Sequence, residues 1–189
     1  MAVNPLVHVL DGVRAAGHEV GPGLSASERD RIESALGLTI PPDFAELLEL
    51  GVPSGGRFPD WHGGPDAIRP LVARPVEGLL FDVEHGLWLE AWGARPASEH
   101  DALSSAEEAL AAAPPLVPVW AHRYLPTEPS KRGNPVLSVM QSDIVVYGAD
   151  LADYFAREFG LVRRSEASGT TPPASLPFWG QFLADQGPP

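Results

Sequence analysis

Residues 36–61 read LGLTIPPDFAELLELGVPSGGRFPDW. Pro41 and Pro42 stop whatever helix arrives at Leu36, and Pro42 or Asp43 can open the next one. Proline has no N–H to lose at a helix start, and a carboxylate there meets the positive end of the helix dipole. Phe44, Leu47 and Leu48 then recur at helical spacing, which predicts a short amphipathic helix over residues 42–50. A Gly-rich turn closed by Phe58-Pro59-Asp60-Trp61 follows. A helix, a double-proline break, a second short helix and an aromatic turn are a folding signature without chemistry in it.

Working outward, Leu6, Val9, Leu10 and Val13 place a first helix near residues 5–16, ended by Gly17 and the Gly21-Pro22-Gly23 run. Ser25 and Glu28 have the spacing of a capping box, so a second helix runs from there to about Leu36. Residues 67–73 read as another helical turn. Residues 75–84 are ambiguous: Val76, Leu79, Leu80 and Val83 fit a helix, whereas Gly78 and Phe81 fit less well and a strand remains open. Residues 97–113, rich in Ala and Glu, predict a mostly solvent-facing helix. Short Val-rich runs at 116–120, 135–141 and 144–147 predict strands, with Ser142-Asp143 as the tight connection between the last two. Leu151, Tyr154, Phe155 and Phe159 line one face of a late helix. Residues 163–175 read as a polar loop, and Phe178, Trp179 and Phe182 form an apolar cluster expected to dock back on the body of the protein.

The fold class expected is α+β: N-terminal helices packed on a small antiparallel or mixed sheet, then C-terminal helices. The 189 residues are read as a single domain, 1–189, in which 1–23 is an N-terminal helix and turn, 164–176 a loop and 177–185 a docked C-terminal segment.

The succession at 36–61 resembles the entry segment of the SUKH superfamily, which takes in fungal cell-wall-assembly regulators and bacterial toxin-immunity proteins. PVEGLLFDVEHGLWLEAWG at 75–93 looks like the middle segment of a bacterial branch. VPVWAHRYLP at 117–126, GNPVLSVMQSDIVVYGADL at 133–151 and PFWGQFL at 177–183 look like its later blocks. Each block is apolar and turn-rich; their order is the specific part. The resemblance implies a SUKH-like fold and a non-catalytic, protein-binding role, most concretely an immunity protein that neutralises a cognate toxin. An intracellular regulatory scaffold is the other role it implies.

Composition sets further bounds. There are 25 acidic and 13 basic residues, a net charge of −12, and Lys131 is the only lysine. Such a charge disfavours nucleic acid and anionic lipid and suits a basic protein partner, a basic toxin among them; solubility alone is the competing explanation. No apolar run approaches the ~18 residues of a membrane span. The N-terminal residues MAVNPLVHVLDGV lack a basic n-region and carry Asp11, unlike a signal peptide. The absence of cysteine removes disulfides and thiolate metal sites. The location expected is the cytoplasm, and no cofactor or metal is expected.

Catalytic signatures are missing. Gly21-Pro22-Gly23-Leu24-Ser25-Ala26 matches G-x-G-x-x-A in letters, but a helix precedes it and Pro22 removes a phosphate-binding N–H; it reads as a turn and helix cap. Asp82, Glu84 and His85 give at most two ligands on one face. Asp150 and Asp153 bracket a helix start, where caps belong. Two residue groups carry the binding expectation. Arg57, Asp60 and His62 in the Gly-rich turn, with Arg123 and with Lys131 in the loop 126–133, are the candidate partner contacts. His122, Tyr124, Asn134 and Asp143 form a candidate polar cluster at one sheet edge, serving either as an enzyme or small-ligand site or as hydrogen-bonding support for that loop. Trp61 is read as a plug in the core, and Trp88 and Trp92 as core or subcore residues.

Overall fold

A computed structural model of the protein describes residues 5–160 and 176–183. Those residues form an α+β fold, with helices at both ends of the sequence and two antiparallel sheets between them. Helix α1 (Pro5–Ala15) leads into a short strand β1 (Glu19–Gly21). Helices α2 (Ala26–Leu36) and α3 (Pro42–Leu50) follow, then strand β2 (Val52–Ser54), which pairs with β1. Helix α4 (Pro65–Glu84) and helix α5 (Glu99–Leu110) precede the main sheet. That sheet is a meander of β3 (Leu116–Trp120), β4 (Arg123–Pro126), β5 (Val136–Met140) and β6 (Asp143–Gly148), in sequence order and antiparallel throughout. Helices α6 (Leu151–Glu158) and α7 (Gly180–Leu183) complete the described chain.

The local rules explain the N-terminal half. Ser25 Oγ accepts from the Glu28 amide at 3.3 Å while the Glu28 carboxylate accepts from the Ser25 amide at 2.8 Å, closing the capping box. The Ser25 hydroxyl also donates to that carboxylate at 2.5 Å, and this bond first, then the one from the Ser25 amide, holds the Glu28 carboxyl below its ordinary range. Helix α2 ends at Gly37, whose φ of 63° is the left-handed conformation glycine adopts without penalty. Helix α3 starts at Pro42, as the double proline requires.

The main sheet separates two apolar clusters. One gathers α1, α2, α3, α6 and Trp61 against Val117, Val119, Leu125 and Val136. The other gathers Leu79 of α4, Leu110 of α5 and the tail residues Trp179 and Phe182 against Leu116, Tyr124, Leu137, Val139 and Ile144. The expected docking of the C-terminal cluster is seen: Trp179 and Phe182 are buried and Phe178 is half-buried against them. Trp61 is buried, while Trp88 and Trp92 are half-buried partners at 5.3 Å. The loop expected at 164–176 lies outside the described residues except for Leu176.

Five details differ from the sequence reading. Residues 65–84 are one continuous helix, although Pro70 and Pro75 lie inside it. A proline at position 75 cannot donate to the carbonyl of residue 71. The Tyr124 hydroxyl donates to that Leu71 carbonyl instead, at 3.1 Å. Secondly, RYLP is strand β4, a segment to which the sequence reading assigned no element. Its four residues are all buried, so no polar–apolar alternation marks it. Thirdly, the β5–β6 connection is Gln141-Ser142, one residue earlier than expected, because Met140 pairs with Asp143. Fourthly, α5 buries a stripe of Ala102, Ala106 and Leu110, and is less solvent-facing than its composition suggests. The β1–β2 ladder was not foreseen either; its strands have three residues each.

No helix among the described residues is long and apolar enough to cross a membrane.

Candidate functional site

The two hairpin turns of the main sheet lie at the same end. Trp120 pairs with Arg123 around the Ala121-His122 turn, and Met140 pairs with Asp143 around Gln141-Ser142. The Val139 amide donates to the His122 carbonyl at 2.9 Å, which sets the turns side by side. Both turns open on a non-glycine residue with positive φ, 51° at Ala121 and 57° at Gln141. Such residues persist only where the surroundings over-determine them.

Helix α4 holds the second turn. A Cβ on Gly78 would lie 3.1 Å from the Gln141 Cα, so the missing side chain admits the turn against the helix. The Asp82 carboxylate accepts from the Ser142 amide at 2.9 Å and from its hydroxyl at 2.5 Å. The first turn is held by the Gly-rich segment: the Ala121 amide donates to the Arg57 carbonyl at 2.9 Å. Phe58, beside Arg57, is wedged among His18, Trp120 and Phe159 with ring centroids 5.3–6.5 Å away.

Two neighbouring clefts result. One, about 410 Å³, is lined by the Gly56–Pro59 segment, Leu71 and Arg74 of α4, and Ala121-His122. The other, about 290 Å³, lies between Arg74, Pro75 and Gly78 of α4 and His122, Tyr124 and Gln141 of the sheet. Arg74 and His122 belong to both. The Arg57 guanidinium lies 5.5 Å above the Trp120 ring, and Arg123 lies 3.8 Å above Tyr147. His122 is held below the ordinary imidazole range, by desolvation first and then by the positive charges of Arg123 and Arg57. Desolvation likewise raises the Tyr124 phenol, whose hydroxyl is already committed to Leu71.

The candidate polar cluster does not assemble as expected. His122 and Tyr124 line one cleft, and Asp143 stands exposed beside the adjacent turn. Asn134 is at the opposite end of the sheet, because β4 and β5 run antiparallel and it sits in the loop joining their far ends. There it is buried and its amide donates to the Pro126 and Pro129 carbonyls at 3.1 and 2.8 Å. Loop support is therefore its observed role. Thr127 and Gly133 tie the same loop to Pro115 and Asp43.

The candidate partner contacts are dispersed too. Arg57 is exposed at the larger cleft. Asp60 caps the turn after it, accepting from the Gly63 amide at 3.0 Å. His62 reaches the Pro22 carbonyl at 3.1 Å and the Glu28 carboxylate at 3.6 Å, bracing the start of α2. Arg123 is buried and donates to Ser138 Oγ at 2.9 Å, with no carboxylate at ion-pair distance among the described residues. Lys131 is exposed in the loop at the far end. Arg74 was missed: the sequence reading broke the helix beside it, so no periodicity placed it on a face.

The helices differ in how their carboxylates are paired. Those of α2 and α3 are largely paired: Glu33 and Glu49 with Arg29, Glu46 with Arg132. Helix α5 carries Glu99, Asp101, Glu107 and Glu108, all exposed, and no lysine or arginine. None of those four carboxylates is paired with a described residue. Among the described residues no group of three His, Asp or Glu side chains is placed to hold a metal ion.

The depressed His122 gives a pH prediction. A histidine whose folded pKa lies below its unfolded value stabilises the fold fully above the unfolded pKa and loses that contribution as pH falls through the folded one. The urea midpoint is expected to drop between pH 7.5 and pH 5, and to drop less in His122→Asn. Equal drops in the two proteins would remove His122 as the cause.

The chain matches no protein-family model, no curated protein and no solved structure.

Proposed function

We propose that this chain is a non-catalytic protein-binding domain that engages a basic polypeptide through an acidic face, in its most concrete form an immunity protein against a cognate toxin. The observation that carries the reading is the exposed side of α5, with four carboxylates and no cation of its own. Arginines pair with carboxylates of α2 and α3, whereas α5 concentrates four acidic charges with no arginine or lysine of its own to offset them. Unpaired charge of one sign steers an opposite partner and raises its association rate. The ordered blocks resembling the SUKH superfamily supply the immunity form of the proposal. A cytoplasmic location belongs to the same proposal.

The test is association kinetics with the product of the adjacent gene. The association rate is expected to fall steeply as salt rises, because the Debye length shrinks from about 30 Å at 0.01 M to about 8 Å at 0.15 M. Dissociation should change far less. Changing Glu99, Asp101, Glu107 and Glu108 together to Lys is expected to slow association by roughly tenfold or more, with a small drop in melting temperature because Glu99 and Asp101 lie in the first turn of α5. Salt-independent association, or full-speed association by the reversed helix, would sink the proposed face. Absence of binding to that product would sink the immunity form.

A further inference from the structure

We propose that the cleft between the Gly56–Pro59 segment, the middle of α4 and the Ala121-His122 turn binds a small oxyanion, carboxylate or phosphate, in the grip of the Arg57 and Arg74 guanidinium groups. The site is independent of the acidic helix and of any protein partner.

Charge is the first argument. The chain has 25 acidic and 13 basic residues, yet two of its arginines line this cleft and no Asp or Glu does. Neither guanidinium makes an ion pair or hydrogen bond with a described residue, although Glu77 stands three residues from Arg74 on the same helix. A third charge, Arg123, lies directly behind the turn and is close enough to act on His122. In a protein that pairs Arg29, Arg132 and Arg157 with carboxylates, cations left open around one hollow mark a place for an outside anion.

Geometry is the second. The Arg57 guanidinium carbon lies over the Trp120 ring, 5.5 Å from its centroid. That contact takes none of the five guanidinium N–H donors in an ion pair, and it is their fixed fork that receives an oxyanion in two parallel hydrogen bonds. Its backbone is fixed as well, since the Arg57 carbonyl accepts from the Ala121 amide and Phe58 is locked among aromatic rings. Arg74 comes from the opposite wall, on the long helix. Ala121, at a φ of 51°, is the turn residue whose amide makes the bond to the Arg57 carbonyl. Neutral His122 adds an imidazole between the arginines and the second cleft.

Size and lining are the third. About 410 Å³ exceeds what a bare ion needs and lies in the range of small-molecule sites. Phe58, Pro59 and Leu71 give the cleft an apolar wall, so the oxyanion is best carried by a small body with an apolar side.

The test is a titration followed by amide and indole NMR signals, at ionic strength held constant with sodium chloride. The probes are inorganic phosphate and benzoate. Saturable shifts are expected at the Trp120 indole and the Ala121 amide with at least one probe. Phosphate alone, benzoate alone or both would each support the site and identify its ligand chemistry. Arg74→Gln, exposed on a helix and safe for folding, should weaken binding roughly tenfold, the effect of losing a charge-assisted hydrogen-bond pair. Arg57→Gln with Arg74→Gln should abolish saturation. No saturable shift with either probe, or the same affinity in the variants, would overturn the proposal.

Discussion

Trp179→Ala is expected to lower the free energy of unfolding by roughly 3–5 kcal/mol, the cost of emptying a buried aromatic site. Trp179 is 1% exposed and sits with Leu110, Leu116, Ile144 and Phe182 in the cluster on one side of the sheet. Its indole N–H donates to the Pro114 carbonyl at 2.8 Å, so truncation also strands a carbonyl just before β3. Phe178 packs edge-on against it at 5.2 Å and would lose its support. The melting temperature should fall by on the order of 10 °C, since a protein of this size loses about 2–4 °C per kcal/mol. Removing the chain beyond Ser175 should do at least as much. A melting curve unmoved by either change would mean that the tail contributes nothing to the fold.

Gly23→Ala is expected to be nearly as damaging, for a steric reason. An added Cβ would lie 1.9 Å from the Glu49 carbonyl oxygen and 2.7 Å from its carbon, and both are backbone atoms that cannot rotate away. The contact exists because the Leu24 amide donates to the Leu48 carbonyl at 2.8 Å, drawing the segment before α2 onto the end of α3. The methyl must break that bond or push α3 out of the core. A loss of about 3 kcal/mol is expected, from overpacking together with a lost buried hydrogen bond. Gly21→Ala is the control: its Cβ would meet the Val52 carbonyl at an ordinary 3.7 Å. Chemical denaturation of the two variants should separate them clearly, and equal stability would refute the steric account. Of this G-x-G pattern only Gly23 thus answers to packing; Gly21 ends strand β1, so a short strand and not a helix directly precedes the pattern, while Ser25 caps α2 as expected.

Local signals carried the sequence reading far where one residue decides one bond. Ser25 and Glu28 can cap only one helix start, and the Pro41-Pro42 pair favours a break followed by a new first turn, so α2 and α3 fall where expected. β3, β5 and β6 were legible from their Val-rich runs. What failed depended on partners distant in sequence. β4 is held by neighbours on both sides and contains a buried arginine, which reads as a surface residue. α4 survives two prolines through its packing, and neither its helical spacing nor its ends disclose that. The cleft was invisible for a similar reason. Arg57, Arg74 and His122 come from three segments whose meeting is decided by the Arg57–Ala121 backbone bond and the docking of α4. Arg57 and His122 were singled out separately, for different purposes, and nothing in the chain order joins them.

The hydroxyl of Tyr124 and the ring of Pro75 together have a further meaning. Along α4 most main-chain oxygens are occupied by the amide four residues on, and a slip of the helix by one position against the sheet would bring an occupied oxygen under the tyrosine. Pro75 leaves the Leu71 oxygen vacant, and Tyr124 fills that vacancy. The imino acid therefore works as an index mark: it tells a smooth cylinder at which notch to stop. Arg74 is the residue next to that mark, so the same notch that sets the helix also delivers a guanidinium to its place in the wall.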